Sequence, residues 1–193
     1  MIIGGFHPLS LSDYPGIPAA VIFTQGCNWN CWYCHNKQLL PAQVSEEQYD
    51  EQVILTELTK RKSLIKGVVI TGGEPTLQPD LIPFLTKVKA MGYLVKLDTN
   101  GTHPEVVDEL VSRKLPDFIA MDIKGPWEKY ELIVGRKVQV NHLKQSMQLI
   151  INSQIAHQFR TTFEPRYLTS DDLDGIKKSL PETSMYTIQS YQE

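Results

Sequence analysis

Short apolar runs alternate with amphipathic stretches along the whole chain, and the alternation predicts strands and helices in turn. Ala19 to Thr24 (AAVIFT) reads as the first strand, and a cysteine-bearing loop follows it directly. Ser45 with Gln48 spells a capping box, so a helix is expected from there to about Arg61, turning Tyr49, Val53 and Leu58 inward. Gly67 to Thr71 (GVVIT) is a buried strand, and the helix after it carries Leu81, Leu85 and Val88 on one face and ends near Gly92. Leu94 to Asp98 is a strand, then comes a helix over Pro104 to Arg113 whose start is marked by Thr102 and Glu105. Phe118 to Asp122 is the fourth strand. After a loop with Gly125 and Pro126, Asn141 is expected to cap a helix with Leu143, Met147 and Ile150 facing in. Phe159 to Thr162, a helix from about Ser170 to Leu180, and Tyr186 to Gln189 complete the series.

Six strands alternating with helices imply a parallel sheet with right-handed crossovers. Uniform strand–helix units of this length suit an α/β fold of the partial (β/α)6 barrel kind better than a closed eight-stranded one. Without a linker, a charge block or a low-complexity segment, residues 1–193 read as a single domain.

The balance of 41% hydrophobic and 21% charged residues is that of an ordinary globular chain. Net charge is −3, so no basic field is available to hold a phosphate backbone, and nucleic acid is not an expected partner. The basic run of Lys60, Arg61, Lys62 and Lys66 falls at an expected helix end and reads as surface charge complementing the helix dipole. No stretch approaches the ~20 apolar residues of a membrane span, and the N-terminus has no charged region leading into an apolar signal segment. The expected location is the cytoplasm. There, three cysteines inside one eight-residue window point to metal or redox chemistry rather than to a disulfide framework.

These are Cys27, Cys31 and Cys34, in the spacing C-x3-C-x2-C. One tight loop can bring three such thiolates to three corners of a cubic iron–sulfur cluster, leaving the fourth iron open to another ligand. Two other chemistries share the loop. Cys31, Cys34 and His35 spell the C-x-x-C-H of covalent haem attachment, although that needs an exported chain. Three cysteines with His35 would also close a structural zinc tetrahedron.

A parallel barrel puts its site at the C-terminal ends of its strands, where unusual polar residues are therefore expected. They occur in succession. The second strand ends in Thr71-Gly72-Gly73-Glu74-Pro75, the third in Asp98-Thr99-Asn100-Gly101 and the fourth in Asp122-Ile123-Lys124. Paired glycines allow either a tight turn before a helix or a close backbone approach to a ligand. The carboxylates at adjacent strand ends, with a lysine beside one, suit a zwitterionic ligand or, alternatively, surface ion pairing. Arg160, Thr161 and Thr162 near the fifth strand's end, and Gln189 and Gln192 near the sixth's, are further candidates for the lining. His7, His103, His142 and His157 show no partner pattern.

The cysteine loop, with Tyr33 in the aromatic place before its last cysteine, resembles the radical S-adenosylmethionine (SAM) signature. Over nearly the whole chain, GGFHPLSLSDYPGIPAAVIFTQGCNWNCWYCHN, GVVITGGEPTLQPDL, VKLDTNG, IAMDIKGP and FRTT resemble, in order, the activating proteins of glycyl radical enzymes. The likeness is greatest to activators of anaerobic ribonucleoside-triphosphate reductase. It implies a radical SAM barrel holding a 4Fe–4S cluster on the three cysteines, with SAM on the unique iron. One electron then cleaves SAM to methionine and a 5′-deoxyadenosyl radical, which takes an α-hydrogen from a glycine of the partner enzyme. Further implications are a flavodoxin-like or ferredoxin-like electron donor, Tyr33 near the adenine, and Gly72, Gly73 and Glu74 at the methionine amino group. Thr99 would join the cofactor site, Lys124 would meet the methionine carboxylate, and Asp98 and Asp122 would face the amino group or a bound monovalent cation. The sequence stops at Gln192-Glu193, which in this family implies that a C-terminal lid is absent or that the partner supplies it. The alternatives are a radical SAM enzyme acting on a small molecule, such as a 7-carboxy-7-deazaguanine synthase-like protein, and a zinc-binding interaction module.

Overall fold

Gly4, Gly5 and Pro8 disguise the first strand of the sheet, because they interrupt the alternation by which a strand is read. In the computed structural model, which describes residues 1–41 and 49–191, this segment is β1 (Ile3–Ser10). It pairs antiparallel with β2 (Ala19–Thr24), and its register slips between His7 and Ser10, around Pro8. An edge strand tolerates a proline there, since one side of its ladder has no partner. Among the described residues the sheet therefore has seven strands rather than the six expected. The other five are β3 (Gly67–Gly72), β4 (Leu94–Thr99), β5 (Phe118–Asp122), β6 (Ala156–Phe163) and β7 (Met185–Ser190). They lie in sequence order, and every pair from β2 to β7 is parallel. The partial barrel is thus six parallel strands extended by one antiparallel strand at its edge.

The helices are α1 (Glu51–Lys60), α2 (Leu81–Ala90), α3 (Pro104–Ser112), α4 (Tyr130–Val134), α5 (Val140–Asn152) and α6 (Ser170–Ser179). Three helix starts differ from expectation. The proposed box of Ser45 and Gln48 lies outside the described residues. Asp50 caps α1 instead, its carboxylate accepting from the amides of Gln52 and Val53. That start rotates the buried face onto Ile54 and Leu58, leaving Val53 exposed, while Tyr49 lies outside the helix and bridges to Ile3. Thr102 does not cap α3: His103 holds that position without a side-chain bond, and Pro104 supplies a first turn that needs no donor. Asn141 lies within the first turn of α5 rather than before it. Ser146 takes a place on the buried face of α5, satisfied by donating to the Gly101 carbonyl at 2.7 Å, and Met147 is only half-buried. Among the described residues no helix is long and apolar enough to cross a membrane.

Successive side chains of each strand point to opposite faces. Ala20, Ile22, Val68, Ile70, Val95 and Leu97 pack outward against Leu58, Phe84, Leu85 and Val88. Ala19, Val21, Val69, Phe118 and Ala120 form a second, inner cluster with Tyr14. Register pairs Val21 with Val69, Val69 with Lys96, and Lys96 with Phe118, so one lysine stands in an otherwise apolar inner layer. Two residues further along, Phe23 pairs with Thr71 and Asp98 with Ala120. Two further still, Asp122 pairs with Arg160. The inner face changes from apolar to charged toward the strands' C-terminal ends.

Candidate active site

The cysteine loop leaves β2 at Thr24 and is fastened before it reaches its first cysteine. Gln25 donates from Nε2 to the carbonyls of Gln38 and Pro41, and its own carbonyl accepts from Gln78 at 2.7 Å. The amide of Gly26 meets the Leu39 carbonyl and that of Cys27 meets Leu40. On the other flank, Asn30 and Trp32 donate their amides to Val134 and Ile133, and Trp29 packs edge-on against Tyr130. Both flanks of the loop are thus fastened to the surrounding chain.

Its three thiols are free and face one cleft of about 320 Å3. Burial pushes the Cys27 thiol up to about 12 and raises Cys31 as well, with the Lys124 ammonium pulling each back down. Thiolates here call for a strongly cationic bound group. Among the described residues no three Cys, His, Asp or Glu side chains converge as ligands of a single ion. His35, the fourth corner of a zinc tetrahedron, instead stacks on Tyr191 with ring centroids 5.5 Å apart. Three thiols lining one cleft suit three corners of a cluster. The Tyr33 hydroxyl is buried in the cleft wall with no hydrogen-bond partner among the described residues, a group that a bound ligand would satisfy.

The glycine pair is required first by its neighbours. Gly72 has φ +113°, and a Cβ on Gly73 would stand 2.0 Å from the Gly26 carbonyl oxygen. Gly73 and Glu74 donate their amides to Thr24 and Gly26. The Glu74 carboxylate is buried among four donors. Oε1 accepts from the Thr76 amide, the Thr76 hydroxyl and the Thr99 hydroxyl, and Oε2 from the Asn100 amide at 2.6 Å. Burial raises its pKa, against the pull of those bonds. Glu74 and Thr99 therefore tie the ends of β3 and β4 together where they border the cleft.

At the ends of β4, β5 and β6 stands a chain of alternating charges. Lys96 meets Asp98 Oδ1, and Asp98 Oδ2 receives Arg160 at 3.2 Å. Arg160 also reaches Asp122 Oδ1 at 2.9 Å, and Asp122 Oδ2 receives Lys124 at 2.9 Å. Burial alone would raise Asp122, but Arg160 and Lys124 hold its carboxyl well below the usual carboxylate range. Burial would likewise lower Lys124, yet the Asp122 carboxylate keeps it well above the ordinary lysine range. The Lys124 ammonium also lies 5.6 Å from the Tyr33 ring centroid.

All eleven residues singled out from the sequence line this one cleft: Cys27, Cys31, Tyr33, Cys34, Gly72, Gly73, Glu74, Asp98, Thr99, Asp122 and Lys124. Arg160, Thr162 and Gln189 line it too, whereas Thr161 points the other way and bonds the Ile123 carbonyl. Gln192 lies outside the described residues, and none of His7, His103, His142 and His157 reaches the cleft. Sequence reasoning missed Asp13 in the lining and Lys96 beneath it, and gave Asn100 no role of its own. Lys96 had a signal, since it stands two residues before Asp98 and so shares its inward face.

Residues 21–165 match the profile of the radical SAM superfamily. A protein of Methanocaldococcus jannaschii, assigned by name to the glycyl-radical enzyme activating enzymes, is 34% identical over 99% of this chain and 80% of its own length. A pyruvate formate-lyase-activating enzyme of Clostridium pasteurianum is 34% identical over 70% of the chain. The chain matches only 59% of that enzyme's length. Among solved structures, anSMEcpe with bound AdoMet superposes with a TM-score of 0.68 at 16% identity, over 88% of this chain and 50% of that one. Profile, relatives and barrel agree: the chain belongs to the radical SAM superfamily, in its group of glycyl-radical enzyme activating enzymes.

Proposed function

We propose that this chain activates a glycyl radical enzyme, most specifically an anaerobic ribonucleotide reductase, by radical SAM chemistry. The observation that carries the reading is the single cleft shared by the three free thiols, the unsatisfied Tyr33 hydroxyl and the charged ends of β4 to β6. Cys27, Cys31 and Cys34 would hold the 4Fe–4S cluster. When bound and reduced, it supplies the electron that cleaves SAM to methionine and the 5′-deoxyadenosyl radical.

The chain's own residues bind, orient and exclude water. Lys124 offers a cation for the ligand's carboxylate, and Tyr33 offers a ring face and a hydroxyl. A ligand ammonium needs acceptors, and the Gly72-Gly73 turn supplies carbonyls, because the amides of Gly73 and Glu74 are already donated to β2 and its loop. Glu74 and Thr99 hold that turn in register with β4. The glycine-bearing partner closes the mouth, and a flavodoxin-like or ferredoxin-like carrier provides the electron in the cytoplasm.

Anaerobic reconstitution with iron and sulfide, followed by SAM and dithionite, tests the reading. The expected product is 5′-deoxyadenosine, lost in Cys34→Ala, with a glycyl radical signal when an anaerobic ribonucleotide reductase is added. Stoichiometric zinc without iron in anaerobically purified protein would overturn it.

A further inference from the structure

A monovalent cation beside SAM would rest on Asp98 and Asp122, and the charges already gathered around these two carboxylates do not favour one. Each of the four oxygens of Asp98 and Asp122 accepts from a protein cation: Lys96, Arg160 on two of them, and Lys124. Three cationic side chains against two carboxylates leave the cluster at net +1, with the charges already interleaved. A further metal cation there would face three positive neighbours against two carboxylates, a net repulsion. A ligand carboxylate, in contrast, would bring the cluster to neutrality.

Lys96 is the residue that makes this so. It is 1% exposed, and its stem lies in the apolar inner layer between Val69 and Phe118. Its ammonium reaches one layer up to Asp98, the usual way a lysine keeps its head in a polar place. A buried lysine in such a layer contributes little to packing that an apolar residue would not, so its distinctive contribution is the charge it delivers beneath the cleft.

We infer that Lys96 supplies from within the fold the positive charge a bound monovalent cation would otherwise provide at Asp98, so that SAM binds independently of potassium or sodium. Lys96 is a positioning residue: it acts on the ligand through Asp98 and Arg160. The inference rests on the SAM reading above.

The test compares SAM affinity of the reconstituted protein, read from the SAM-induced change in the cluster's electron paramagnetic resonance spectrum, in potassium and in tetramethylammonium, which is too bulky to enter. The expected wild-type dissociation constants agree within about twofold, whereas an obligatory cation would give a coupling of about tenfold or more. Lys96→Met should bind SAM more weakly in tetramethylammonium and regain affinity in potassium, and Lys96→Arg should behave as wild type. A tenfold wild-type dependence on potassium, or a Lys96→Met protein with wild-type affinity in both salts, overturns the inference. The wild-type comparison decides even if Lys96→Met fails to fold. SAM binding in neither salt overturns the functional reading and this inference with it, whereas a rise in the melting temperature of the cluster-free wild type specific to potassium overturns the inference alone.

Discussion

Gly73 and Gly26 stand back to back where the second and first parallel strands end, with no room between them for a methyl group. A Cβ on Gly73 would lie 2.0 Å from the Gly26 carbonyl oxygen, and the obstruction is backbone rather than a side chain that could turn away. Gly73→Ala must therefore push the cysteine loop from the turn. The expected loss is about 1–3 kcal/mol in urea denaturation, as for other overpacked sites. Reduced iron uptake should accompany it. Gly175→Ala is the contrasting case, because nothing lies within 4 Å of its added Cβ inside α6. That change should stabilise by about 0.5–1 kcal/mol, the ordinary gain of alanine over glycine in a helix. Equal effects from the two substitutions would refute the packing argument.

Glu74 is surrounded by donors, so its charge-neutral analogue is not a conservative replacement. In Glu74→Gln the amide nitrogen must face either the Asn100 amide or the group of Thr76 and Thr99. Either choice opposes donor to donor in a buried place. The expected cost is about 1–3 kcal/mol, measured by denaturation of the cluster-free protein. A change below about 0.5 kcal/mol would mean that the carboxyl is already protonated and donating.

The network at Asp122 predicts the direction of a pH effect. The folded pKa lies well below that of the unfolded chain, so the unfolded state binds more protons as the medium is acidified. The contribution of Asp122 is fully present above the unfolded value of about 3.9 and is lost as pH falls through the folded one. The melting temperatures of wild type and Asp122→Asn should differ by a constant amount above about pH 5 and begin to converge below about pH 4, meeting only near the folded pKa. A gap that stays constant far into acid would show that Arg160 and Lys124 do not act on Asp122 as charges.

Much of this architecture was legible because parallel strands buried on both faces read as apolar runs. Phe118 to Asp122 is a strand over the very residues its apolar run marks, and the α2 face of Leu81, Leu85 and Val88 is buried as its spacing requires. The cleft was legible for a different reason: barrel topology collects strand ends, so polar residues terminating successive apolar runs had to meet. What escaped depends on tertiary pairing. β1 owes its existence to β2, not to its own pattern, and α1 is phased by Asp50 rather than by its apolar residues. Thr102 resembles a cap, but its hydroxyl receives Asn28 and donates to Asn100, linking the cysteine loop to the end of β4. Lys96 was hidden by its own type, since a lysine inside a strand reads as solvent-facing until its phase with Asp98 is considered.

Tyr33 supplies the sharpest separation of stability from binding. Its hydroxyl is buried without a partner among the described residues, and burial raises its pKa, so it stays a neutral phenol at neutral pH. An unsatisfied buried hydroxyl costs stability, and replacing it with hydrogen leaves the ring's packing intact. Tyr33→Phe should therefore melt at or above the wild-type temperature in the cluster-free protein. A ligand that completes the missing hydrogen bond reverses the sign: SAM should then bind more weakly to Tyr33→Phe by about one hydrogen bond, or about 0.5–1.5 kcal/mol. Calorimetry for melting and spectroscopic titration for SAM read the two effects separately. If the variant loses stability and keeps its affinity, the hydroxyl serves the fold rather than the ligand, and Tyr33 contributes to the cleft only through its ring and the Lys124 ammonium near it.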